Sequence, residues 1–413
     1  MTFDPLLRRR VLKGLTTVSL VGAALARPYL ARAAPGNAAA RKLLNGVKSA
    51  KPTTVMASPP SIVAKPDWAG STISGVYRSE MKPMIRPDSP LLRQVSGNLR
   101  QMPRDPAAFT AGYISHDAGG GPVSGFSNGW GIAFLFSGYG FDFALNGYYY
   151  GGPKRFLIRI NGQWTQAEDS VSQTEQVAVV QVTFPSPVKN ALVEIFFGEA
   201  IYLYGFNVDA RANITAPPVD PAEIRAVMLG DSYAQGYNGR TRRSGLPHRL
   251  GEALGVRNIV ASGVGSQGWV AAQAGRTQLD RILLGDLDRF GPLDLVVLYG
   301  SVNDWRSPEA LIRGNVAKGV KAASERHPEA IKLFLSSFSA DGAVVSPSRN
   351  AAARDAALAG GDDRTVVLDL FALGLPRIRG DRTVDRTHPN EDECRDLAQA
   401  IAKAFAERLT KMT

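Results

Sequence analysis

The chain has 413 residues, 44% of them hydrophobic and 21% charged, with a formal net charge of +11 at pH 7. This length and balance supply apolar surface for two cores and exclude a disordered or integral membrane protein. A single cysteine, Cys394, excludes an internal disulfide and a cysteine-based zinc cluster, and its stripe with Leu397, Ile401, Phe405 and Leu409 reads as helix core.

Residues 1–33 read as a targeting segment. Arg8-Arg9-Arg10-Val11-Leu12-Lys13 resembles the twin-arginine motif, the apolar run from Leu15 to Ala26 is too short to span a bilayer, and Ala31-Arg32-Ala33 supplies a cleavage site. The resemblance implies export of a folded protein by the twin-arginine translocation machinery, into the bacterial periplasm or beyond, with no stable membrane span after cleavage. Its removal takes away six basic residues against one acidic residue, lowering the charge from +11 to +6. No basic run with interleaved aromatics is present, so nucleic acid is not an expected partner.

From 34 to 75 the chain is rich in Ala, Pro, Ser and Lys without sustained periodicity, which predicts a loosely ordered segment. Over 76–210 the period becomes two. Trp130, Ile132, Phe134 and Phe136 alternate with smaller residues, Phe141, Phe143 and Leu145 follow, and Phe156, Ile158 and Ile160 lead into an Asn161-Gly162 turn. Later runs over 177–184 and 191–197 complete an all-β sandwich pattern. Asp117-Ala-Gly-Gly-Gly-Pro122 lacks the Gly-Lys-Ser/Thr ending of a phosphate loop and reads as a hairpin loop. Tyr148-Tyr149-Tyr150 are either half-buried strand residues or a stacking surface for sugar rings.

Residues 211–223, with Pro217, Pro218 and Pro221, read as a linker. Beyond it, apolar strands at 226–229, 259–261, 293–299, 331–335 and 366–371 alternate with helical patterns over 308–326, 348–358 and 391–411. This predicts a doubly wound parallel α/β domain over 224–413, whose ligands sit at the carboxyl ends of the strands.

Four strand ends carry candidate chemistry. Gly230-Asp231-Ser232 follows the first strand; as a nucleophile, Ser232 needs a base, an orienter for that base and oxyanion donors. Of four histidines, His388 lies just beyond the last strand, with Asp385 three residues upstream and able to reach its ring from the same loop. Pro389 keeps His388 from helical torsions, and Asn390 with Glu393 starts the last helix. Asn303 can offer a side-chain amide, while Asp304 bonds loop backbone. The glycine-rich turn 261–268, with Gly265 and Ser266, can present a backbone N–H. Taken singly, these residues also read as turn and cap residues.

In the order Gly-Asp-Ser, glycine turn, Asn-Asp, Asp-x-x-His, these motifs resemble the SGNH (GDSL-type) hydrolases over roughly residues 224–411. The resemblance implies a flavodoxin-like fold and ester hydrolysis through a covalent acyl-enzyme without metal or organic cofactor. It implies Ser232 as nucleophile, His388 as base, Asp385 as its partner, and an oxyanion hole from Ser232, the turn at Gly265 or Ser266, and Asn303. Two positions depart from the pattern: Ser266 and Ser301 each stand where the family carries glycine. Ala234 excludes the Gly-x-Ser-x-Gly elbow.

A β-sandwich ahead of such a domain is similar to the layout of two-domain carbohydrate acetyl esterases, whose first module is a jelly roll; this implies an O-acetyl ester of a saccharide as substrate. Arg240, Arg242 and Arg243 after the serine, and Arg377, Arg379, Arg382 and Arg386 before the histidine, predict a preference for an anionic ester, or are exposed loop residues. An O-acetyltransferase using the same triad, and a non-catalytic glycan binder with a decayed esterase domain, are the competing readings.

Overall fold

The computed structural model describes residues 36–51, 53–65, 85–86, 88–96, 99–102, 105–111, 130–147, 154–166, 170–172, 178–198, 201–208, 211–220, 222–236, 245–273, 275–338, 346–373 and 380–413. The expected signal segment, the 117–122 loop, Tyr148–Tyr150 and Arg240, Arg242, Arg243, Arg377 and Arg379 lie outside them. Residues 36–413 form one compact unit.

The described chain begins with a helix, α1 (Gly36–Ser49), followed by β1 (Ser61–Lys65). The expectation of a loose segment over 34–75 is therefore corrected for these residues. Ala40, Leu43, Leu44 and Val47 recur at helical spacing, and the first three are buried in the same core as the last helix. An Ala- and Lys-rich stretch of this kind is helical once its stripe is covered.

An antiparallel sheet then runs through β2 (Arg93–Ser96), β3 (Leu99–Met102), β4 (Asp105–Ala111), β5 (Gly131–Gly147), β6 (Lys154–Ile160), β7 (Gln163–Trp164), β8 (Ser170–Ser172), β9 (Ala178–Phe197), β10 (Ile201–Val208) and β11 (Asn213–Thr215). The main path of the sheet is β3-β4-β10-β5-β9-β6-β7. The strands expected separately at 130–136 and 141–145 are one strand, β5, and those at 177–184 and 191–197 are one strand, β9. Both bend rather than stop. The Phe134 and Phe141 rings lie 5.3 Å apart, whereas seven extended residues would span roughly 23 Å. The register shifts at Phe136–Gly140, and the sheet folds over an aromatic core of Phe134, Phe136, Phe141, Phe143 and Phe197. Asn161 and Gly162, at φ 48° and 83°, make the expected tight turn. Part of the expected linker, Asn213–Thr215, instead pairs with β5.

The remainder is the doubly wound α/β region. β12 (Arg225–Gly230) leads into a single turn, α2 (Ser232–Gln235), then α3 (Leu246–Leu254), β13 (Asn258–Gly263), α4 (Gln278–Leu283), β14 (Leu295–Tyr299), α5 (Glu309–Arg326), β15 (Ile331–Leu335), α6 (Pro347–Gly360), β16 (Thr365–Leu368) and α7 (Glu391–Met412). All five strands are parallel, in the order β13-β12-β14-β15-β16. The order reverses at β12, so the crevice of the sheet opens where β12 ends. Cys394 is buried in the core, as its stripe predicts.

The two sheets are joined by a buried carboxylate. Glu194 of β9 pairs with Arg159 of β6 at 2.7 Å and with Arg257, next to β13, at 2.8 Å. Arg159 also donates to Asn258 Oδ1 at 3.0 Å. Burial pushes the Glu194 carboxyl up, but the two guanidinium groups outweigh it and hold it below the usual carboxylate range. Replacing Glu194 by Gln leaves Arg159, whose side chain is 8% exposed, without its counter-charge. The expected loss is about 3 kcal/mol, read as a lower urea midpoint; an unchanged midpoint would show that the seam contributes nothing.

Candidate active site

β12 delivers Ser232 to the crevice. Asp231 caps α2 by accepting from Tyr233 N at 3.0 Å, which fixes Ser232 as the first residue of the turn. The neighbouring strand end lies very close: a Cβ on Gly263 would stand 1.8 Å from Gln235 N, so only glycine fits where β13 passes this turn.

The histidine comes from the loop before α7. Val384 N donates to His388 O at 2.9 Å and Asn390 N to Arg382 O at 2.8 Å, closing the loop on itself. Asn390 then caps α7 by accepting from Glu393 N at 3.0 Å. Asp385 Oδ1 accepts from the backbone N–H groups of Thr387 and His388 at 3.1 and 2.8 Å. Its Oδ2 meets His388 Nδ1 at 2.7 Å, and His388 Nε2 meets Ser232 Oγ at 2.7 Å. Burial raises the Asp385 carboxyl, but the N–H and imidazole of His388 outweigh it and hold it below the usual carboxylate range. With the Nδ1 hydrogen on Asp385, the Nε2 lone pair faces the serine hydroxyl. The hydroxyl of Tyr233, next to the serine, donates to Thr387 O at 2.6 Å, and so ties the histidine loop to α2.

The other two strand ends are bound to each other. Asp304 accepts from Trp269, Val270 and Ala271 N–H at 2.7, 3.0 and 2.8 Å, so its carboxylate bonds loop backbone as the sequence predicts. A Cβ on Gly268 would lie 2.3 Å from Asp304 Oδ1, which requires glycine there. Beneath the turn, fully buried Arg281 donates to Asp286, Ser262 Oγ and Gln267 Oε1 at 2.9, 2.7 and 3.1 Å. Gln267 O in turn receives the Asn303 side-chain amide at 3.0 Å. Asn303 Nδ2 also has Ser301 Oγ at 3.2 Å and Asp231 Oδ2 at 3.3 Å, so the amide is anchored on its inner side. Ser266 adopts φ 62°, the left-handed region that favours glycine, a cost of about 1 kcal/mol or more for a serine. The N–H groups of Ser232, Gly265 and Ser266 have no acceptor among the described residues.

Asp231 is the functional-site residue that sequence reasoning left without a role. It is completely buried, and burial pushes its carboxyl up to about 7 against hydrogen bonds from Tyr233 N, Ser301 and Val302 N, with the Asp304 charge adding to the rise. Its position in a strand-ending Gly-Asp-Ser, ahead of a cap, was the available signal. Arg281 was missed because nothing in a helical Arg marks it as enclosed.

The arginine expectation is corrected in one place. Arg382 is held by Glu393 and Asp396 of α7, so it braces the histidine loop rather than facing a ligand. Arg386 is exposed, at φ 68°, and has no acidic partner among the described residues. Among the described residues no group of three or more His, Cys, Asp or Glu side chains could hold a metal ion, and no helix is long and apolar enough to cross a membrane.

Residues 228–392 match the model of the GDSL-like lipase/acylhydrolase family. That stretch is an acylhydrolase domain of the GDSL type, and the chain is an ester-hydrolysing enzyme. No curated protein matches the chain. Among solved structures, a family two carbohydrate esterase from Cellvibrio japonicus superposes with a TM-score of 0.57 at 15% identity, covering 81% of this chain and all of that one. A family two carbohydrate esterase from Clostridium thermocellum in complex with cellohexaose gives 0.56 at 13% identity, covering 77% and 99%. A salicylyl-acyltransferase from a tetracycline biosynthetic pathway gives 0.59 at 14% identity, covering 79% and 97%. At these identities the likeness is one of fold.

The raised Asp231 carboxyl has a consequence for stability. Its pKa rises from 3.8 in the open chain to about 7 in the fold, so folding takes up a proton. The stability it contributes is complete below about pH 4 and is lost as pH rises through 7. Asp231→Asn is expected to remove that decline, so its melting temperature should move in the variant's favour, relative to wild type, between pH 4 and pH 8. A pH-independent difference would contradict this assignment.

Proposed function

We propose that this chain, with its GDSL-like acylhydrolase domain, is an exported serine esterase that removes an O-acetyl group from a saccharide. The observation that carries the reading is the continuous line from Asp385 Oδ2 through His388 to Ser232 Oγ, with both hydrogen bonds at 2.7 Å. In this reading Ser232 Oγ attacks the ester carbonyl while its proton passes to His388 Nε2. The developing oxyanion is met by the N–H groups of Ser232 and of Gly265 or Ser266 and by the Asn303 amide. Collapse returns the proton from Nε2 to the leaving alcohol and leaves the acyl group on Ser232. Water then attacks that ester, giving its proton to Nε2; collapse returns that proton to Ser232 Oγ as the acyl–oxygen bond breaks, which releases the carboxylic acid and restores the free serine. Asp385 holds the imidazole tautomer and stabilises the imidazolium formed in each half.

The saccharide assignment is supported by the fold shared with carbohydrate esterases and by an exposed indole on the loop that carries Asn303. Trp305, two residues beyond Asn303, is 45% exposed, and the Arg306 guanidinium lies 3.9 Å from its ring centroid. An indole with one face available can stack on a sugar ring, and Arg306 and Arg386 offer positive charge to a uronate. Export rests on Arg8–Lys13, the apolar run and Ala31-Arg32-Ala33. Terminal sequencing of the exported protein is expected to give Ala34 first; retention of residues 1–33 would overturn the signal reading.

Hydrolysis of p-nitrophenyl acetate tests the chemistry. Ser232→Ala and His388→Ala are each expected to lower kcat by at least about 10³-fold. Activity persisting in Ser232→Ala would reduce Gly-Asp-Ser to a turn. On acetylated oligosaccharides, uronate-containing chains are expected to be preferred over neutral ones; equal kcat/KM for the two would remove the acidic class.

A further inference from the structure

Ser301 stands where the family pattern carries glycine, and its side chain is inside the oxyanion machinery. It is 4% exposed and precedes the short 3-10 helix Val302–Asp304. Its Oγ accepts from Asn303 N at 2.9 Å. The same oxygen lies 2.9 Å from Asp231 Oδ2 and 2.8 Å from Gln267 O, with one hydroxyl hydrogen to give.

Asn303 presents a related conflict. Its amide has two hydrogens, while Gln267 O, Ser301 Oγ and Asp231 Oδ2 all lie within 3.3 Å of Nδ2. If inward acceptors hold both hydrogens firmly, none remains for an oxyanion. Gln267 O is the nearest of the three and takes one. The second is contested chiefly by Asp231 Oδ2, a fully buried carboxyl oxygen with no water to compete for the amide. The Ser301 hydroxyl reaches that oxygen more closely, at 2.9 Å against 3.3 Å for the amide; its other acceptor, Gln267 O at 2.8 Å, already receives the Asn303 amide, and Val302 N shares the Asp231 oxygen at 3.3 Å.

We propose that Ser301 is a positioning residue: by donating to Asp231 Oδ2 it occupies the carboxylate oxygen that would otherwise draw in Asn303, and so keeps one Nδ2 hydrogen available to the oxyanion of the acyl-transfer transition state. This rests on the esterase reading of Ser232 and on Asn303 as an oxyanion donor. A glycine at 301 would leave room for a water to take the hydroxyl's place; here the protein supplies the group itself. The departure from the family pattern is then a substitution of one donor for another.

The test is a double-mutant cycle on p-nitrophenyl acetate with Ser301→Ala, Asn303→Ala and the pair, beside Ser232→Ala. Alanine keeps the Cβ and removes only the hydroxyl. Asn303→Ala is expected to lower kcat about 10²-fold, as loss of one oxyanion donor does. Ser301→Ala should lower kcat roughly 10-fold with KM within about twofold, because the amide is needed in the transition state and not for binding. In the Asn303→Ala background the Ser301 substitution should cost nothing further. An equal fold-loss with and without Asn303, a change confined to KM, or no loss at all would overturn the proposal. If Ser301→Ala does not fold, Ser301→Gly removes the hydroxyl at a position with φ −72° and is read by the same criterion, with a smaller expected loss where water enters. Activity independent of Ser232 would overturn the esterase reading and this inference with it, whereas failure of the cycle with Ser232 dependence intact overturns the inference alone.

Discussion

Two carboxylates set behind the strand ends hold the site together. Asp304 gathers three consecutive backbone N–H groups of the turn after β13, while Asp231 accepts from the α2 backbone, from Ser301 and from the start of the 302–304 helix. Loops that leave three different strands are thereby fixed to one another through buried hydrogen bonds to carboxyl groups, sheltered from competing water. The Ser232 hydroxyl, the Asn303 amide and the N–H groups of the glycine turn then inherit their positions from that frame. Arg281 does the same from beneath, filling the space under the turn with a guanidinium whose bonds end on Asp286, Ser262 and Gln267. A frame held this way is pre-organised, which is the physical requirement that the proposed oxyanion site places on it.

The parallel sheet was legible because buried strands write themselves as short apolar runs between helical patterns, and 331–335 matches its strand residue for residue. The Asn161-Gly162 turn and the Asn390 cap were legible for a similar reason, since each depends on a local backbone need that few residues meet. The N-terminal helix was not, because its stripe of Ala40, Leu43, Leu44 and Val47 is short and sits among small and basic residues. The long strands were cut in two because the apolar runs break off between 136 and 141 and between 184 and 191; in the fold Gly138, Pro185 and Pro187 lie where β5 and β9 bend, and both prolines are exposed there. In the site, Ser232, Asp385, His388 and Asn303 could be named because their chemistry is tied to short motifs. Asp231, Gln267, Arg281 and the part played by Ser301 could not, since a supporting group is defined by what it faces across the fold.

The sheet–sheet seam follows the same logic at larger scale. Glu194 is shared between an arginine of its own sheet and one beside β13, with Asn258 completing the set. A carboxylate buried between two guanidinium groups tolerates little separation, because opening the seam would leave buried charge without its partner. The antiparallel region is thus a fixed part of the molecule's frame, whatever it contributes to ligand binding.

Helix α1 changes how the chain must be assembled. It packs with α7 in one hydrophobic core, so residues near the beginning and the end of the described chain complete the same core, with the antiparallel sheet lying between them in the sequence. The α/β core is therefore closed by its most distant contacts, those that cost the most loop entropy and form late. On a ribosome the antiparallel sheet can mature while the α/β core is still open, and the core that α1 and α7 share closes only after α7 has emerged.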